Sequence, residues 1–274
     1  IEPDHLNNYD NNFDNLKEAF LEFIKKLPFN GMSIVCGDDP VVKELKKNFQ
    51  RPHISYGFDP SNDYVLSDFR SDETKSFFKM TSDSESIPYT LNMLGKHNVL
   101  NATAAAILCL QEGIPIEVIQ DSLHNFMGID RRMQILGERK LKNNNCVYID
   151  DYGHHPTEIE KTIEAIRSSF SGYKINMVFQ PHRFTRTHDL YDEFIRVLRE
   201  VDELLLLDIY PAGEAAIEGI NSLNIKQSLI DSGFTDVELI DDNEAVIKRL
   251  DQKINSDTVF VSVSYTHLTL PTSV

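Results

Sequence analysis

The chain has 274 residues, of which 41% are hydrophobic and 26% are charged, and its formal net charge at pH 7 is −16. The length allows two globular domains with cores of their own, and the composition is ordinary for a folded globular protein. The negative charge argues against a nucleic-acid-binding protein, which would carry a basic stripe, although a local arginine pair can still bind a phosphorylated ligand.

The cysteines indicate the cellular compartment, and the two ends of the sequence indicate whether it is part of a longer protein. Cys36, Cys109 and Cys146 are odd in number and share no metal-ligand spacing, so we expect reduced thiols in a cytoplasmic protein. No apolar run approaches the ~20 residues of a membrane span. The N-terminus has neither an initiating methionine nor a signal-peptide pattern, and we expect the chain to begin inside a longer protein. Residues 263–274 resemble translated adapter sequence and are left out of the fold prediction.

The first half of the chain mixes helical spacing with short strand-like runs. The strand-like runs alternate and are partly polar, which favours an antiparallel or edge region of a sheet. The elements predicted in chain order are a helix over 13–27, a strand over 32–36, a short helix from 38 to about 47, strands over 53–58, 64–69 and 77–80, and helices over about 97–111 and 116–125.

The second half alternates strands with helices, which predicts an α/β fold with right-handed crossovers and a doubly wound, mostly parallel sheet. Residues 128–137 are predicted to be the hinge between two domains, 1–127 and 128–262. Thr157 and Glu160 are predicted to form a capping box at the first helix. The predicted strands are 147–149, 177–179, 204–207, 237–240 and 258–261, and the predicted helices are about 157–171, 190–201 and 244–254.

Two polar clusters follow directly after two of these strands. Residues 150–156 read DDYGHHP and follow the strand over 147–149, and residues 180–187 read QPHRFTRT and follow the strand over 177–179. In open parallel sheets, ligands bind outside the carboxyl ends of the strands. We therefore expect both clusters to lie at the edge of the sheet where the chemistry occurs.

The acidic and imidazole groups allow more than one function. Asp150 and Asp151 could hold a ribose hydroxyl or an Mg²⁺-bound water, or they could be solvated charges in a helix-capping loop. Together with His154, His155 and His182 they could instead be the metal ligands of a phosphohydrolase. A third hypothesis is a non-catalytic module that senses amino acids or nucleotides.

The arginines at 183 and 186 are three residues apart in a loop that leads into a helix. Paired guanidinium groups bind a carboxylate or phosphate through bidentate hydrogen bonds. The alternative is a surface pair that neutralises Asp189 or Asp192. The position after a buried strand and beside His182 favours ligand binding.

Weaker signals lie elsewhere in the chain. Asn98 and Asn101 share one face at a helix start, where their amides could contact an adenine edge or simply cap the helix. Arg131 and Arg132, at the predicted hinge, could reach a phosphate or be an exposed pair. His5 could ligate a metal, although it lies at the end of the chain.

Six segments, in order and at the approximate spacing, resemble the Mur ligase family over residues 1 to about 262. They are 1–5 (IEPDH), 95–102 (GKHNVLNA), Arg131-Arg132, 150–158, 180–187 and Ala212-Gly213-Glu214. The resemblance implies the later part of a central ATPase-type α/β domain followed by a Rossmann-like domain. It also implies a fragment that is inactive alone, because the family's N-terminal domain and its glycine-rich phosphate loop have no counterpart here.

The activity that the resemblance implies is an ATP-dependent ligation in bacterial peptidoglycan precursor synthesis. Residues 180–187 favour the family member that joins L-alanine to UDP-N-acetylmuramate over the sibling that attaches a preformed tripeptide. ATP would phosphorylate the lactyl carboxylate, and the amine of L-alanine would attack the resulting acyl phosphate. The implied cofactors are ATP and Mg²⁺.

The resemblance also implies a role for each candidate residue. His5 would bind Mg²⁺. The nucleotide-binding residues would be Asn98, Asn101, Arg131, Arg132 and Asp151. The L-alanine pocket would be formed by Tyr152, His154, His182, Arg183 and Arg186. The catalytic residues would be Arg132, Asp151 and His154.

Overall fold

The computed structural model describes residues 1–3, 6–141, 143–240 and 243–264. The chain forms two compact units, the first from Ile1 to Phe126 and the second from Met127 onward. Each unit is a sheet with packed helices, which confirms the predicted α/β fold class. None of the helices in the described residues has the length and apolar character that a membrane span requires.

The first unit contains a sheet with the strand order β1-β2-β3-β4-β5. Its elements are α1 (Phe13–Lys25), β1 (Ser33–Cys36), α2 (Pro40–Leu45), β2 (His53–Gly57), β3 (Tyr64–Ser71), β4 (Ser76–Ser82), β5 (Glu85–Leu91), α3 (Lys96–Gln111) and α4 (Ile116–His124). The pairings of β1 with β2 and of β2 with β3 are parallel, and those among β3, β4 and β5 are antiparallel. The prediction of an antiparallel or edge region is therefore correct for β4 and wrong for β2. It is correct on one side only for β3, which pairs antiparallel with β4 but parallel with β2 at the centre of the sheet.

Strand β5 was missed by the sequence prediction. It contains Pro88, which cannot donate a backbone hydrogen bond, and it begins with the polar residues Glu85 and Ser86. β5 is at the edge of its sheet, where a proline is tolerated because no strand of the described residues pairs with the outer side of β5.

The alanine-rich helix α3 packs against β1, β2 and β4. Val99, Ala102, Ala106 and Ile107 are buried in the core on its inner face. The small alanine side chains allow the helix to lie close to the sheet. This packing orients the first turn of α3, which carries Asn98.

The second unit contains a sheet with the strand order β10-β9-β8-β11-β7-β6. Its elements are β6 (Gln134–Leu141), β7 (Asn144–Asp151), α5 (Pro156–Ser169), β8 (Lys174–Phe179), α6 (Phe184–Asp189), α7 (Tyr191–Leu198), β9 (Glu203–Leu206), α8 (Ser222–Asp231), β10 (Val237–Leu239), α9 (Asn243–Lys253) and β11 (Thr258–Val263). All pairings are parallel except that of β6 with β7. The strand β6 and the helices α6 and α8 were not predicted.

Two segments that the sequence analysis placed outside regular structure, the hinge and the C-terminal tail, each overlap a strand of this unit. β6 begins at Gln134 and so includes the last residues of the predicted hinge, 128–137. β11 continues through Val263, which is the first residue of the adapter-like tail. Residues 265–274 of that tail lie outside the described residues.

The doubly wound arrangement follows from the direction of the crossovers. The connections from β7 to β8, β9 and β10 move in one direction across the sheet, so right-handed crossovers place their helices on one face. In agreement, α5 contacts α7 and α7 contacts α8. The chain then returns through α9 to β11. α9 packs on the other face, where Val246 and Leu250 join Val178, Leu205 and Phe260 in one apolar cluster.

The register of the parallel strands places four strand ends at one edge. Val263 of β11 pairs with Asp151 of β7 on one side and with Phe179 of β8 on the other. Phe179 in turn pairs with Leu206 of β9. The loops that follow these residues therefore all begin at the same carboxyl edge of the sheet.

Candidate functional site

The first loop at this edge is shaped by the start of α5. His155 is the N-cap, and its Nδ1 accepts a hydrogen bond from the backbone N–H of Thr157 at 3.3 Å. Glu158 completes the capping box, because its Oε2 accepts hydrogen bonds from the N–H groups of His154 at 2.9 Å and His155 at 3.2 Å. The prediction of Thr157 and Glu160 was wrong because Pro156 occupies the first helical turn and moves the cap upstream.

Asp151 is buried, with 4% of its surface exposed. Its carboxylate accepts hydrogen bonds from the backbone N–H groups of Met133 at 2.8 Å and Gly153 at 2.7 Å. Burial raises the pKa of Asp151, and these two hydrogen bonds oppose the increase. The carboxylate therefore faces the backbone of its own unit and ties the segment before β6 to the loop after β7.

Gly153 is needed in this loop for a close approach. A Cβ atom at this position would lie 2.8 Å from Oδ1 of Asp151 and 3.3 Å from Cβ of Glu158. A side chain would push the carboxylate of Asp151 away from the hydrogen bonds described above.

Asp150 is engaged in the interior of the site and is not a solvated loop charge. Its Oδ1 accepts a hydrogen bond from Oγ of Ser262 at 2.6 Å, and its Oδ2 lies 3.2 Å from Nε of Arg131. The guanidinium carbon of Arg131 lies 4.6 Å from the ring centroid of Tyr152, a cation–π contact. Arg131 is thereby tied to the start of the loop that carries Tyr152.

Arg132 pairs with the same glutamate that caps α5. Nη1 of Arg132 lies 3.1 Å from Oε1 of Glu158. Burial by itself raises the pKa of Glu158, but the N–H of His154 and the guanidinium of Arg132 outweigh it and lower the pKa overall. Glu158 is therefore ionised at neutral pH and links Arg132 to the backbone of His154.

Tyr152 and His154 project from this loop in contact with each other. Their ring centroids are 5.4 Å apart in an edge-on arrangement, and 39% of Tyr152 is exposed. Nδ1 of His154 lies 3.1 Å from the carbonyl oxygen of Tyr152. The two rings thus form one accessible polar and aromatic face.

The second loop begins after β8 and is held by the segment after β9. The N–H of Tyr210 donates to the carbonyl oxygen of Pro181 at 2.8 Å, and the N–H of Arg183 donates to that of Tyr210 at 2.8 Å. The His182 ring stacks on Tyr210 with a centroid separation of 5.2 Å. The loops after β8 and β9 therefore form one hydrogen-bonded structure.

His182 connects the two loops electrostatically. Burial is the largest influence that lowers the pKa of its imidazole, followed by the charges of Arg186 and Arg183. His154 lowers it further, and Glu214 opposes the decrease. His182 is therefore neutral at pH 7. The charged groups that shift its pKa come from both polar clusters. The register of β7, β8 and β11 places the two segments that carry Tyr152, His154, His182, Arg183 and Arg186 at one edge of the sheet, where the sequence predicted both clusters. The roles of these five residues stay predictions.

The remaining candidates lie in the first unit. Asn98 is buried, and its Nδ2 donates to the carbonyl oxygen of Leu94 at 2.8 Å, whereas Asn101 is exposed one turn later on α3. His5 lies outside the described residues. The accessible amide of this pair is therefore that of Asn101.

The geometry contradicts the alternative of a metal cluster built from aspartates and histidines. Within the described residues, no group of three or more His, Cys, Asp or Glu side chains is arranged to hold a metal ion. Asp150 and Asp151 are engaged as described above, and His155 caps α5. These hydrogen bonds explain why aspartate and histidine side chains cluster here without a metal ion.

Two residues to which the sequence reasoning gave no role contact candidate arginines. Glu158 contacts Arg132, and Glu214 contacts Arg183. The available signals were the position of Glu158 at the third residue of a capped helix and the place of Glu214 in the segment 212–214. Neither signal identifies an arginine partner.

Two family models match this chain. The model described as "Mur ligase middle domain" matches residues 1–109, and the model described as "Mur ligase, glutamate ligase domain" matches residues 131–264. The first range lies in the first unit and the second range lies in the second unit.

Solved structures with a similar fold include three ligases. The UDP-N-acetylmuramate-alanine ligase MurC from Thermotoga maritima has a TM-score of 0.70 and 24% identity, over 95% of this chain and 53% of that chain. MurF from Acinetobacter baumannii has a TM-score of 0.73 and 18% identity, and the match covers 96% of this chain and 55% of that chain. MurF from Thermotoga maritima in complex with ADP has a TM-score of 0.71 and 19% identity, and the match covers 96% of this chain and 56% of that chain. At these identities the likeness establishes the fold, and this chain spans about half the length of those proteins.

Substitution of Asp151 tests its structural contacts. Asp151→Ala removes the acceptor of two backbone N–H groups, and we expect a loss of about 2–4 kcal/mol in the free energy of unfolding of the second unit. The exposed Asp189→Ala variant is the control, with an expected change within about 0.5 kcal/mol. Urea denaturation followed by circular dichroism measures both. Equal stability of the two variants would contradict this account of Asp151.

Proposed function

The chain belongs to the Mur ligase family, and from that premise we propose that it is part of an ATP-dependent ligase of peptidoglycan precursor synthesis in the bacterial cytoplasm. The proposed reaction joins L-alanine to the lactyl carboxylate of UDP-N-acetylmuramate. The observation that carries this proposal is the register of β7, β8 and β11, which puts the segments that carry His154, His182, Arg183 and Arg186 at one edge of the sheet.

The charges at this edge suit an amino acid substrate. Arg183 and Arg186 offer guanidinium groups for an α-carboxylate, which arginine binds through bidentate hydrogen bonds. The lowered pKa of His182 leaves this imidazole neutral at pH 7, so it does not repel the substrate's ammonium group. Tyr152, 39% exposed, and His154 are proposed to complete the pocket for a small side chain.

The nucleotide side of the proposal rests on other residues. Asn98 and Asn101 are proposed to contact adenine, with Asn101 as the exposed member. Arg131 and Arg132 are proposed to interact with phosphate groups, and Asp151 supports them by holding the backbone of Met133 in place. ADP in the MurF structure from Thermotoga maritima supports an adenine nucleotide as the ligand class.

The proposed chemistry explains why ATP is needed. A carboxylate is a poor electrophile because neither of its oxygens can leave, so a lactyl oxygen first attacks the γ-phosphorus of ATP and ADP departs. The amine of L-alanine then attacks the acyl carbon, phosphate leaves, and an amide forms. Arginines such as Arg132 contribute by stabilising charge on the phosphoryl group, and Arg183 by orienting the amine through the carboxylate.

Magnesium is proposed as the cation that neutralises the ATP phosphates during transfer. His5 is the proposed ligand, and it lies outside the described residues. In the described part of the chain no three-residue cluster for a metal is present. The steps assigned above to Arg132 and Arg183 do not depend on such a cluster.

The reaction is tested with the complete open reading frame that contains this chain. The protein is incubated with ATP, Mg²⁺ and UDP-N-acetylmuramate, and L-alanine, other amino acids and a preformed tripeptide are offered separately. We expect phosphate release and a product, identified by mass spectrometry, with L-alanine in preference to the others. Turnover with the tripeptide alone would assign the chain to the sibling activity. Phosphate release without an amide product would overturn the proposal.

The amino acid pocket is tested by Arg183→Ala in the same protein. Loss of a charge-assisted hydrogen bond is expected to raise the KM for L-alanine by about 10- to 100-fold. The KM for ATP should stay within about twofold, because Arg183 is proposed to contact the carboxylate only. Arg199→Ala, which removes an arginine with the same 49% side-chain exposure, is the control. An equal effect on both substrates would argue against the pocket assignment.

The adenine site is tested by Asn101→Ala. Loss of one amide contact is expected to weaken nucleotide binding by about fivefold and to leave the KM for L-alanine unchanged. Isothermal titration with a non-hydrolysable ATP analogue measures the affinity. Gln111→Ala, another exposed amide on α3, is the control. Unchanged affinity in Asn101→Ala would remove this residue from the site.

A further inference from the structure

Glu214 lies on the loop after β9 and contacts the loop after β8. Its Oε2 accepts a hydrogen bond from the N–H of Thr185 at 3.0 Å, and its Oε1 accepts one from Oγ1 of Thr185 at 2.8 Å. The same Oε1 lies 3.5 Å from Nη1 of Arg183. The Glu214 side chain is 20% exposed and that of Arg183 is 49% exposed.

Arg183 has a strained backbone. Its φ is 74° and its ψ is 137°, a conformation that costs a non-glycine residue about 1–3 kcal/mol and persists only where surrounding contacts enforce it. Those contacts are present. Its N–H donates to the carbonyl oxygen of Tyr210 at 2.8 Å, and its own carbonyl accepts from N of Thr187 at 3.2 Å and Oγ1 of Thr187 at 2.8 Å.

The segment from Tyr210 to Glu214 therefore holds Arg183 at two points. Tyr210 fixes the backbone and Glu214 contacts the side chain. An unrestrained arginine has about 2 kcal/mol of rotamer entropy to lose when it binds a ligand. A carboxylate near one guanidinium nitrogen reduces that loss and leaves the other N–H groups available.

The ionisation of Glu214 suits this role. Burial by itself raises its pKa, but hydrogen bonds from Thr185 and the charge of Arg183 outweigh that effect, so the pKa is lowered overall. Glu214 thus carries its negative charge at neutral pH. That charge offsets the mutual repulsion of Arg183 and Arg186 before a substrate carboxylate arrives.

We propose that Glu214 is a positioning residue for the amino acid substrate, which acts by holding the guanidinium of Arg183 in the orientation that receives the α-carboxylate. This inference rests on the proposed function. The competing role is a structural one, in which Glu214 only caps the first turn of α6 through Thr185. The two roles differ in whether the effect of Glu214 depends on Arg183.

The test is a double-mutant cycle in the complete protein. Glu214→Gln keeps one of the two oxygens that accept from Thr185, replaces the other by an amide NH2 group and removes the charge that Arg183 contacts. We expect the KM for L-alanine to rise about tenfold with the KM for ATP unchanged. In the Arg183→Ala background, the same substitution should have no further effect on that KM. Glu218→Gln is the control, because it removes the same charge at an exposed position of the same loop.

Two results would overturn the proposal. One is a wild-type KM for L-alanine in Glu214→Gln while Arg183→Ala raises it, which leaves the proposed function intact. The other is a Glu214→Gln effect of the same size with and without Arg183, which indicates capping of α6 alone. Thr185→Val, which removes the hydroxyl donor but keeps both charges, should then match Glu214→Gln under the capping role and resemble the wild type under the positioning role.

A second measurement does not depend on turnover. The Nε–Hε resonance of Arg183 in this chain, observed by ¹H–¹⁵N NMR, should be sharp and dispersed in the wild type and in Glu218→Gln. It should broaden or move to the random-coil position in Glu214→Gln. If the wild-type protein ligates no amino acid, the proposed function fails, and this resonance still decides whether Glu214 orders Arg183. An unchanged resonance in Glu214→Gln contradicts the inference.

Discussion

The parallel pairing of β11 between β7 and β8 is the constraint on which the site depends. It sets Val263 level with Asp151 and Phe179, so the two polar loops leave the sheet at one edge and about 10 Å apart, two strand spacings. β11 is buried on both faces, so a slip of one residue in this register would exchange the side chains that pack on the two faces and would shift the ends of the strands relative to one another. The apolar contacts of Phe260 and Val261, both buried within β11, oppose such a slip.

Carboxylates organise the cationic groups at that edge. Asp150 contacts Arg131, Glu158 contacts Arg132, and Glu214 contacts Arg183. None of these ion pairs is fully buried, so each contributes modestly to stability. Their stronger effect is geometric, because each carboxylate also accepts a hydrogen bond from a backbone N–H or a hydroxyl group and so fixes its arginine to the scaffold. The proposed anionic ligand would then meet cations whose directions are already restricted.

Much of the second unit was predictable because its signals are local. Short apolar runs that alternate with amphipathic helices indicate parallel strands and crossovers, and β7, β8, β9, β10 and β11 all overlap the predicted strands. The errors have physical causes. β6 pairs with only one neighbour and its polar residues give no clear period, and the cap of α5 moved to His155 because Pro156 starts the helix. In the first unit, the edge strand β5 was not predicted because it contains Pro88, which is unusual within a strand.

The sequence by itself determined the fold class, the existence of two polar loops after strands that are consecutive in the chain, and the family resemblance. Each of these depends on residues close together in the chain. Only the tertiary structure decided which group each side chain contacts. Asp150 meets Ser262 across 112 positions, and Arg183 meets Glu214 across the connection through α7 and β9. Such partners are chosen by strand order and loop path, which bring distant groups within 3–4 Å and which no local pattern encodes.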